Sequence, residues 1–299
     1  MFEKILLPLD GSELAEAAIP YVRDLAAQLE AEVYLMHACP PEHVAYLHMH
    51  QIYLNSMAEG LRKEIQELWQ PPQGARVQAE VITGDAVKVI LDFVRQKGIG
   101  LVAVTTHGTS GIRPWSMGHV AEKVVRGVGI PSLLIRLKGD RPVAPQKAQI
   151  QKILVPLDSS DASKIAVPYA IQLALKLKAS VTIFSMAQTV YAQSFDGMGA
   201  GLGVNWDNID AATEKYTDEY LLGVENEIKA AGVKVDHASY LGIDAAYEIL
   251  EMEKKSQADL VVMATRGRSP IASWAFGSVA EKVLREGNRP ILLVREAAA

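Results

Sequence analysis

LVVMATRGRSPIASWAFGSVAEKV, residues 260–283, decides the fold. It opens on an apolar run, Leu260 to Met263, of the kind found in strands buried on both faces of a parallel sheet. The chain then turns through Arg266-Gly267-Arg268 and enters a helix at Gly277-Ser278. Ser278 followed three residues later by Glu281 reads as a capping box, with Ser278 as the cap. Strand, glycine-bearing basic loop and helix start together suit an anion. First-turn N–H groups lack partners there, the helix dipole is positive, and glycine lets backbone come close to a phosphate.

The segment has a twin. Residues 101–137 align with 260–296 without a gap at an offset of 159, and 18 of the 37 positions are identical. Gly108, Trp115, Gly118, Glu122 and Lys123 return as Gly267, Trp274, Gly277, Glu281 and Lys282. The chain is an internal duplication.

Its 299 residues suit two domains, each large enough for a core of its own. With 49% hydrophobic and 22% charged residues, the composition is globular. A net charge of −5 and a pI near 5.8 argue against nonspecific nucleic-acid or acidic-membrane binding. No apolar run reaches membrane-spanning length, and Phe2-Glu3-Lys4 does not open a signal peptide. The single Cys39 excludes an intrachain disulfide and suits a reducing compartment. The economical expectation is a cytoplasmic protein.

From the start, Lys4 to Asp10 reads as a buried strand ending in a carboxylate and the turn Asp10-Gly11-Ser12. A helix follows to about Leu29, in which Pro20 predicts a kink or a late start. Val33 to Ala38 is a second strand, Pro40 to about Gln51 reads as irregular, and a helix runs from there to about Trp69. Val77 to Thr83, Asp85 to Gln96 and Leu101 to Thr105 read as strand, helix and strand. A helix from Gly118 and a strand from Ser132 to Arg136 complete the repeat.

Residues 139–149, with Gly139, Pro142 and Pro145 among charges, read as a linker between domains at 1–138 and 150–299. The pattern restarts at Lys152 to Asp158, matching Lys4 to Asp10 at an offset of 148. The growth to 159 implies 11 extra residues in the second repeat. The glycine-rich run Asp196 to Gly203 suits them, as a lid or as a plain surface insertion. Alternating strands and helices predict an α/β fold of two tandem repeats. Each would be a five-stranded, parallel, doubly wound (Rossmann-like) sheet with helices on both faces. Ligands in such sheets bind at the carboxyl ends of the strands, where the strand order reverses.

Pro8-x-Asp10-x-Ser12 and Pro156-x-Asp158-x-Ser160 after the first strand of each repeat, with the glycine loop before the last helix, resemble the universal stress protein family. The whole chain resembles a tandem member. Members that bind ATP carry Gly-x-x-Gly, nine residues, then Gly-Ser or Gly-Thr, and the second repeat places Ala264, Gly267, Gly277 and Ser278 in that frame. The resemblance implies that Gly267, Arg268, Gly277, Ser278 and Val279 hold phosphates. It puts Asp158 beside the nucleoside or a bridging Mg²⁺, and backbone near Met186 against adenine. In the first repeat Asp10, Ala38, Gly108 and Gly118 keep the frame, while Thr105 replaces the first glycine and His119 the hydroxyl residue. Nucleotide binding is therefore expected first of the second repeat. By the same resemblance, the final strands pair between repeats as an intrachain pseudo-dimer, and whole chains form homodimers.

Neither a Walker lysine nor a nucleophile–base pair is visible, which favours an ATP-binding stress regulator with at most slow hydrolysis over an efficient enzyme. A nucleotide-independent scaffold or metal-binding protein is the alternative. His37, His43, His48, His50, His107 and His119 all lie in the first half, and His107 and His119 are the weak metal candidates. Trp115 and Trp274 read as packing or interface anchors rather than ligand-stacking groups.

Overall fold

The computed structural model describes residues 1–70, 74–106, 117–136, 148–189, 206–265 and 277–295. They form two compact units, Met1–Gln149 with Pro290–Ala299, and Ile150–Arg289.

In the first unit the elements run β1 (Lys4–Pro8), α1 (Glu13–Glu16), α2 (Ile19–Leu29), β2 (Glu32–Cys39), a 3₁₀ turn (Pro41–Tyr46), α3 (Leu47–Trp69), β3 (Val77–Thr83), α4 (Ala86–Lys97), β4 (Leu101–Thr105), α5 (His119–Gly127) and β5 (Ser132–Ile135). The second unit repeats the pattern as β6 (Lys152–Pro156), α6 (Asp161–Lys164), α7 (Ala166–Leu177), β7 (Ser180–Gln188), α8 (Trp206–Ala230), β8 (Val235–Gly242), α9 (Ala245–Ser256), β9 (Leu260–Ala264) and α10 (Ser278–Glu286). The chain's last strand, β10 (Ile291–Val294), belongs to the first unit.

The sheet of the first unit has the order β3-β2-β1-β4-β5-β10. All its neighbours are parallel except β10, which lies antiparallel to β5 with Leu292 opposite Leu133. The second unit has the order β9-β6-β7-β8, all parallel. In both, the first strand of the repeat sits between the second and the fourth, so the order reverses at β1/β4 and at β6/β9. Ile153 and Leu154 pair with Leu260 and Val261 across the second reversal. That pairing places the turn after β6 and the end of β9 side by side, which sequence spacing leaves open.

The central strands are covered on both faces, so their residues are continuously apolar. Ile5, Leu6 and Leu7 of β1 are fully buried, as are Val261 and Val262 of β9. Pro20 falls in the first turn of α2, whose start at Ile19 separates it from the single turn of α1. Proline is tolerated there because first-turn N–H groups have no helical acceptor. The irregular stretch expected up to Gln51 is instead a 3₁₀ turn followed by α3, which is already helical at Leu47. None of residues 47–51 is buried, so no apolar stripe announces that part of the helix. The stripe begins at Leu54 and continues through Ala58, Leu61 and Ile65.

Candidate nucleotide cleft

The second unit opens at the β6/β9 reversal into a cavity of about 240 Å³. Its floor is Pro156, Leu157 and Asp158 after β6 together with Met263, Ala264 and Thr265 at the end of β9. One wall is Phe184 and Met186 of β7 with Ala245 and Ile249 of α9. The other is Gly277, Ser278, Val279 and Ala280 at the start of α10. Phe184 and Met186 are two apart on a strand, and Ala245 and Ile249 four apart on a helix, so each pair shares a face. The lining is apolar except where Asp158, Ser163, Thr265 and Ser278 meet it, the usual make-up of a small-molecule site.

Asp158 is held by its own turn. Its Oδ1 accepts from Ser160 N at 3.1 Å and from Ser160 Oγ at 2.5 Å. Ser160 in turn caps α6 by accepting from Ser163 N, and Ser163 Oγ meets both Asp158 N and Ser160 O. The Pro-x-Asp-x-Ser pattern is thus a local hydrogen-bonded knot that fixes the carboxylate at the cleft floor.

The start of α10 differs from the capping box expected there. Gly277, not Ser278, is the N-cap, with φ −61° and ψ 152°, and Ser278 is the first helical residue. Gly277 N donates to Thr265 O at 2.7 Å and Gly277 O accepts from Glu281 N at 2.9 Å, so backbone alone sets the helix entry. Glycine has no side chain to offer the first turn, and no side chain caps this helix. By contrast α4 and α9 are capped by Asp85 and Asp244, and α1 and α6 by Ser12 and Ser160. The first-turn donors of α10 at the cavity therefore have no side-chain acceptor, a feature α10 shares with its counterpart α5. An added methyl at Gly277 would stand 3.4 Å from Thr265 O, so the position is tight but not closed to a side chain.

Six residues singled out from the second repeat, Asp158, Met186, Ala264, Gly277, Ser278 and Val279, line this one cavity. Gly267 and Arg268 lie outside the described residues, as do Gly108, His107, Trp115, Trp274 and the run Asp196 to Gly203. Phe184, Ile249, Met263 and Thr265 join the lining without having been singled out. The helical or strand face of an already chosen neighbour was the only signal for them.

In the first unit Asp10 makes the same knot, its Oδ1 accepting from Ser12 N and Ser12 Oγ at 3.1 and 2.6 Å. Gly118 is the N-cap of α5 and donates to Thr106 O at 2.6 Å, and Ala38 lies half-buried on β2. His119 is exposed and lines a separate groove of about 350 Å³ between α4 and α5, with Asp85, Lys88, Asp92 and Lys123. His37 is 6% exposed, its Nδ1 is 2.9 Å from Leu9 O, and His50 stacks on it at 4.2 Å. Burial, then the neighbouring His37 and His43, push the His50 imidazole below its ordinary pKa. No group of three or more His, Cys, Asp or Glu among the described residues is spaced to hold a metal ion. No helix among the described residues is long and apolar enough to cross a membrane.

Comparison with known proteins agrees with this geometry. The universal stress protein family model matches twice, at residues 1–136 and 149–295. Universal stress protein MJ0531 of Methanocaldococcus jannaschii is 33% identical over 146 residues, covering 49% of this chain and 82% of that protein. Universal stress protein Rv2623 of Mycobacterium tuberculosis is 22% identical over 310 residues, covering 98% of this chain and 96% of the relative. The crystal structure of a universal stress protein from Archaeoglobus fulgidus shares the fold with a TM-score of 0.66 at 18% identity, covering 98% of this chain and 96% of that one. Two family matches on one duplicated chain, each with the strand-end aspartate and the glycine-capped last helix, leave one assignment: this chain is a tandem-domain member of the universal stress protein family.

Proposed function

We propose that the cleft of the second unit binds ATP and that occupancy, rather than rapid turnover, is the protein's output. One observation carries the reading: Asp158 and the uncapped start of α10 line the same largely apolar cavity. An adenine base suits the apolar part, against the wall of Phe184, Met186 and Ile249. Backbone N–H groups at Ser278 and Val279 suit phosphate oxygens, since they are donors at a positive helix end. The Ser278 hydroxyl, not used as a cap, can donate to the same group. Asp158 would then lie beside the ribose or a phosphate-bound cation.

Mg²⁺ fits this donor set. It prefers a site of one or two carboxylates completed by phosphate oxygens and water, and Asp158 is the carboxylate on the cleft floor. When bound it would neutralise phosphate charge. Asp158 is the one carboxylate in the described lining and is assigned to the cation, Ser163 Oγ donates to Ser160 O, and no histidine or lysine lines the cavity. Slow hydrolysis is the most this lining supports. A regulator that acts in the cytoplasm, as a homodimer of whole chains, agrees with this role.

Isothermal titration of nucleotide-free protein with ATP and Mg²⁺ tests the reading. Saturable micromolar binding that is lost in Asp158→Ala is the expected result. Heat release that is unchanged in that variant would place the nucleotide elsewhere, and none in the native chain would reject the proposal.

A further inference from the structure

The helices α9 and α10 contribute to opposite walls of the cleft, and two carboxylates, Asp244 at the cap of α9 and Glu253 within it, hold α10 at either end. At the cleft end, Asp244 Oδ1 accepts from Ala246 N and Tyr247 N at 3.1 Å each, capping α9. Its Oδ2 accepts from Lys282 Nζ of α10 at 2.5 Å. Lys282 is one turn on from Ser278, on the same helix face, so the pair lies directly beside the phosphate-facing turn. At the far end the side chain of Glu253, 2% exposed, accepts from Asn288 N at 2.9 Å just beyond α10. The adjoining Gly287 makes room for it, since a methyl there would stand 3.0 Å from Glu253 Oε2.

The first unit provides an internal control. Offset by 159, Asp244 and Lys282 correspond to Asp85 and Lys123, the same two residue types. There Asp85 Oδ1 caps α4 by accepting from Lys88 N at 3.0 Å, and no ion pair joins it to Lys123. Both instead line the open groove between α4 and α5. Val94 stands in place of Glu253 and Gly129 in place of Asn288, so the far tie has no chemical counterpart either. The same helix pair is therefore tied at both ends in one repeat and at neither in the other.

We propose that Asp244, with Lys282 as its partner, is a positioning pair that fixes the start of α10 against α9 and so aims the first-turn N–H groups at the ligand's phosphates. It rests on the nucleotide reading above. The nucleoside end of the cleft rests on β6, β7 and Ile249 of α9, so opening the pair while keeping an oxygen to cap α9 loosens only the anion end. Both repeats possess the aspartate and the lysine, so the tie itself is what distinguishes the α9–α10 pair from the α4–α5 pair.

Two conservative variants separate the parts. Asp244→Asn keeps an oxygen to cap α9 but loses the charge pair, and Lys282→Met keeps the length of the side chain. Each is expected to weaken ATP binding roughly fivefold, the scale of one partly exposed ion pair. Adenosine affinity should stay unchanged, and Lys282→Arg should restore ATP binding. Equal losses for ATP and adenosine, or no loss for either, would overturn the positioning role. A readout without nucleotide keeps the test independent of the ligand. Hydrogen exchange at the Gly277 and Glu281 amides, which bond Thr265 O and Gly277 O, should quicken in both charge-removing variants. Unchanged exchange in the ligand-free protein would refute the tie even if ATP proved not to bind the native chain.

Discussion

Gly277 is the residue on which the cleft turns, and its backbone does not require glycine. Its φ of −61° is open to any residue, and an aspartate there would be a better helix cap than glycine by a few tenths of a kcal/mol. Gly277→Asp should therefore leave thermal stability unchanged or slightly raised. It also sets a negative charge at the proposed phosphate site, so ATP affinity should fall at least roughly 100-fold. A variant that melts normally and binds ATP normally would show that phosphate lies elsewhere. Asp24 is a residue whose role is purely structural. Buried in α2, it accepts from Arg23 Nε at 2.7 Å and from Ala148 N at 2.5 Å, pinning the chain just before β6. Asp24→Ala strands the Ala148 N–H and leaves Arg23 to Glu64, and should cost about 2–3 kcal/mol in denaturant unfolding.

Elements carry the pH dependence. His50 of α3 has its pKa depressed by burial and by His37 and His43, so the folded state favours its neutral form. Its contribution is fully present above the ordinary value of 6.5 and is lost as pH falls from there through the lower folded value. The melting temperature should decline between pH 7 and 5, and His50→Phe, which keeps the stack on His37, should flatten that decline. Asp244 behaves in the same direction in a lower window. The Lys282 hydrogen bond, then the Tyr247 N–H, hold its carboxyl below the ordinary 3.8. That support is present above 3.8 and disappears only as pH falls beneath it. The α3 and α9 contributions are thus separable by titration.

At the scale of the whole molecule, the consequential element is β10. It is encoded after the second repeat, yet it closes the edge of the first unit's sheet by pairing with Ser132, Leu133 and Leu134. Arg295, just beyond it, donates to the carbonyl oxygens of Val125 and Arg126 at the end of α5. Deleting residues 290–299 should expose β5, three of whose four residues are apolar, as an unpaired edge, a template for aggregation. Faster hydrogen exchange at Ser132–Ile135 and concentration-dependent light scattering are the expected signs. Retained protection of β5 in the truncated chain would mean that its edge is covered without β10.

The sequence by itself determined the duplication, the α/β class and almost every strand, because buried parallel strands demand unbroken apolar runs that stand out at any distance. It also determined the residue types of the cleft, since Pro-x-Asp-x-Ser is a local knot and a glycine before a helix is a local signal. It misplaced what depends on hydrogen bonds between distant segments. The α10 cap moved from Ser278 to Gly277 because Thr265 O, twelve residues upstream, takes the Gly277 N–H. The start of α3 was missed because a solvent-facing turn buries no stripe. Only the tertiary structure decided that Phe184, Ile249 and Met263 line one cavity with Asp158. Only it decided that Asp244 and Lys282 meet while the same pair in the first repeat does not. Periodicity reports how each segment meets its surroundings. Which segments meet, and at what spacing, is set by packing that no local pattern encodes.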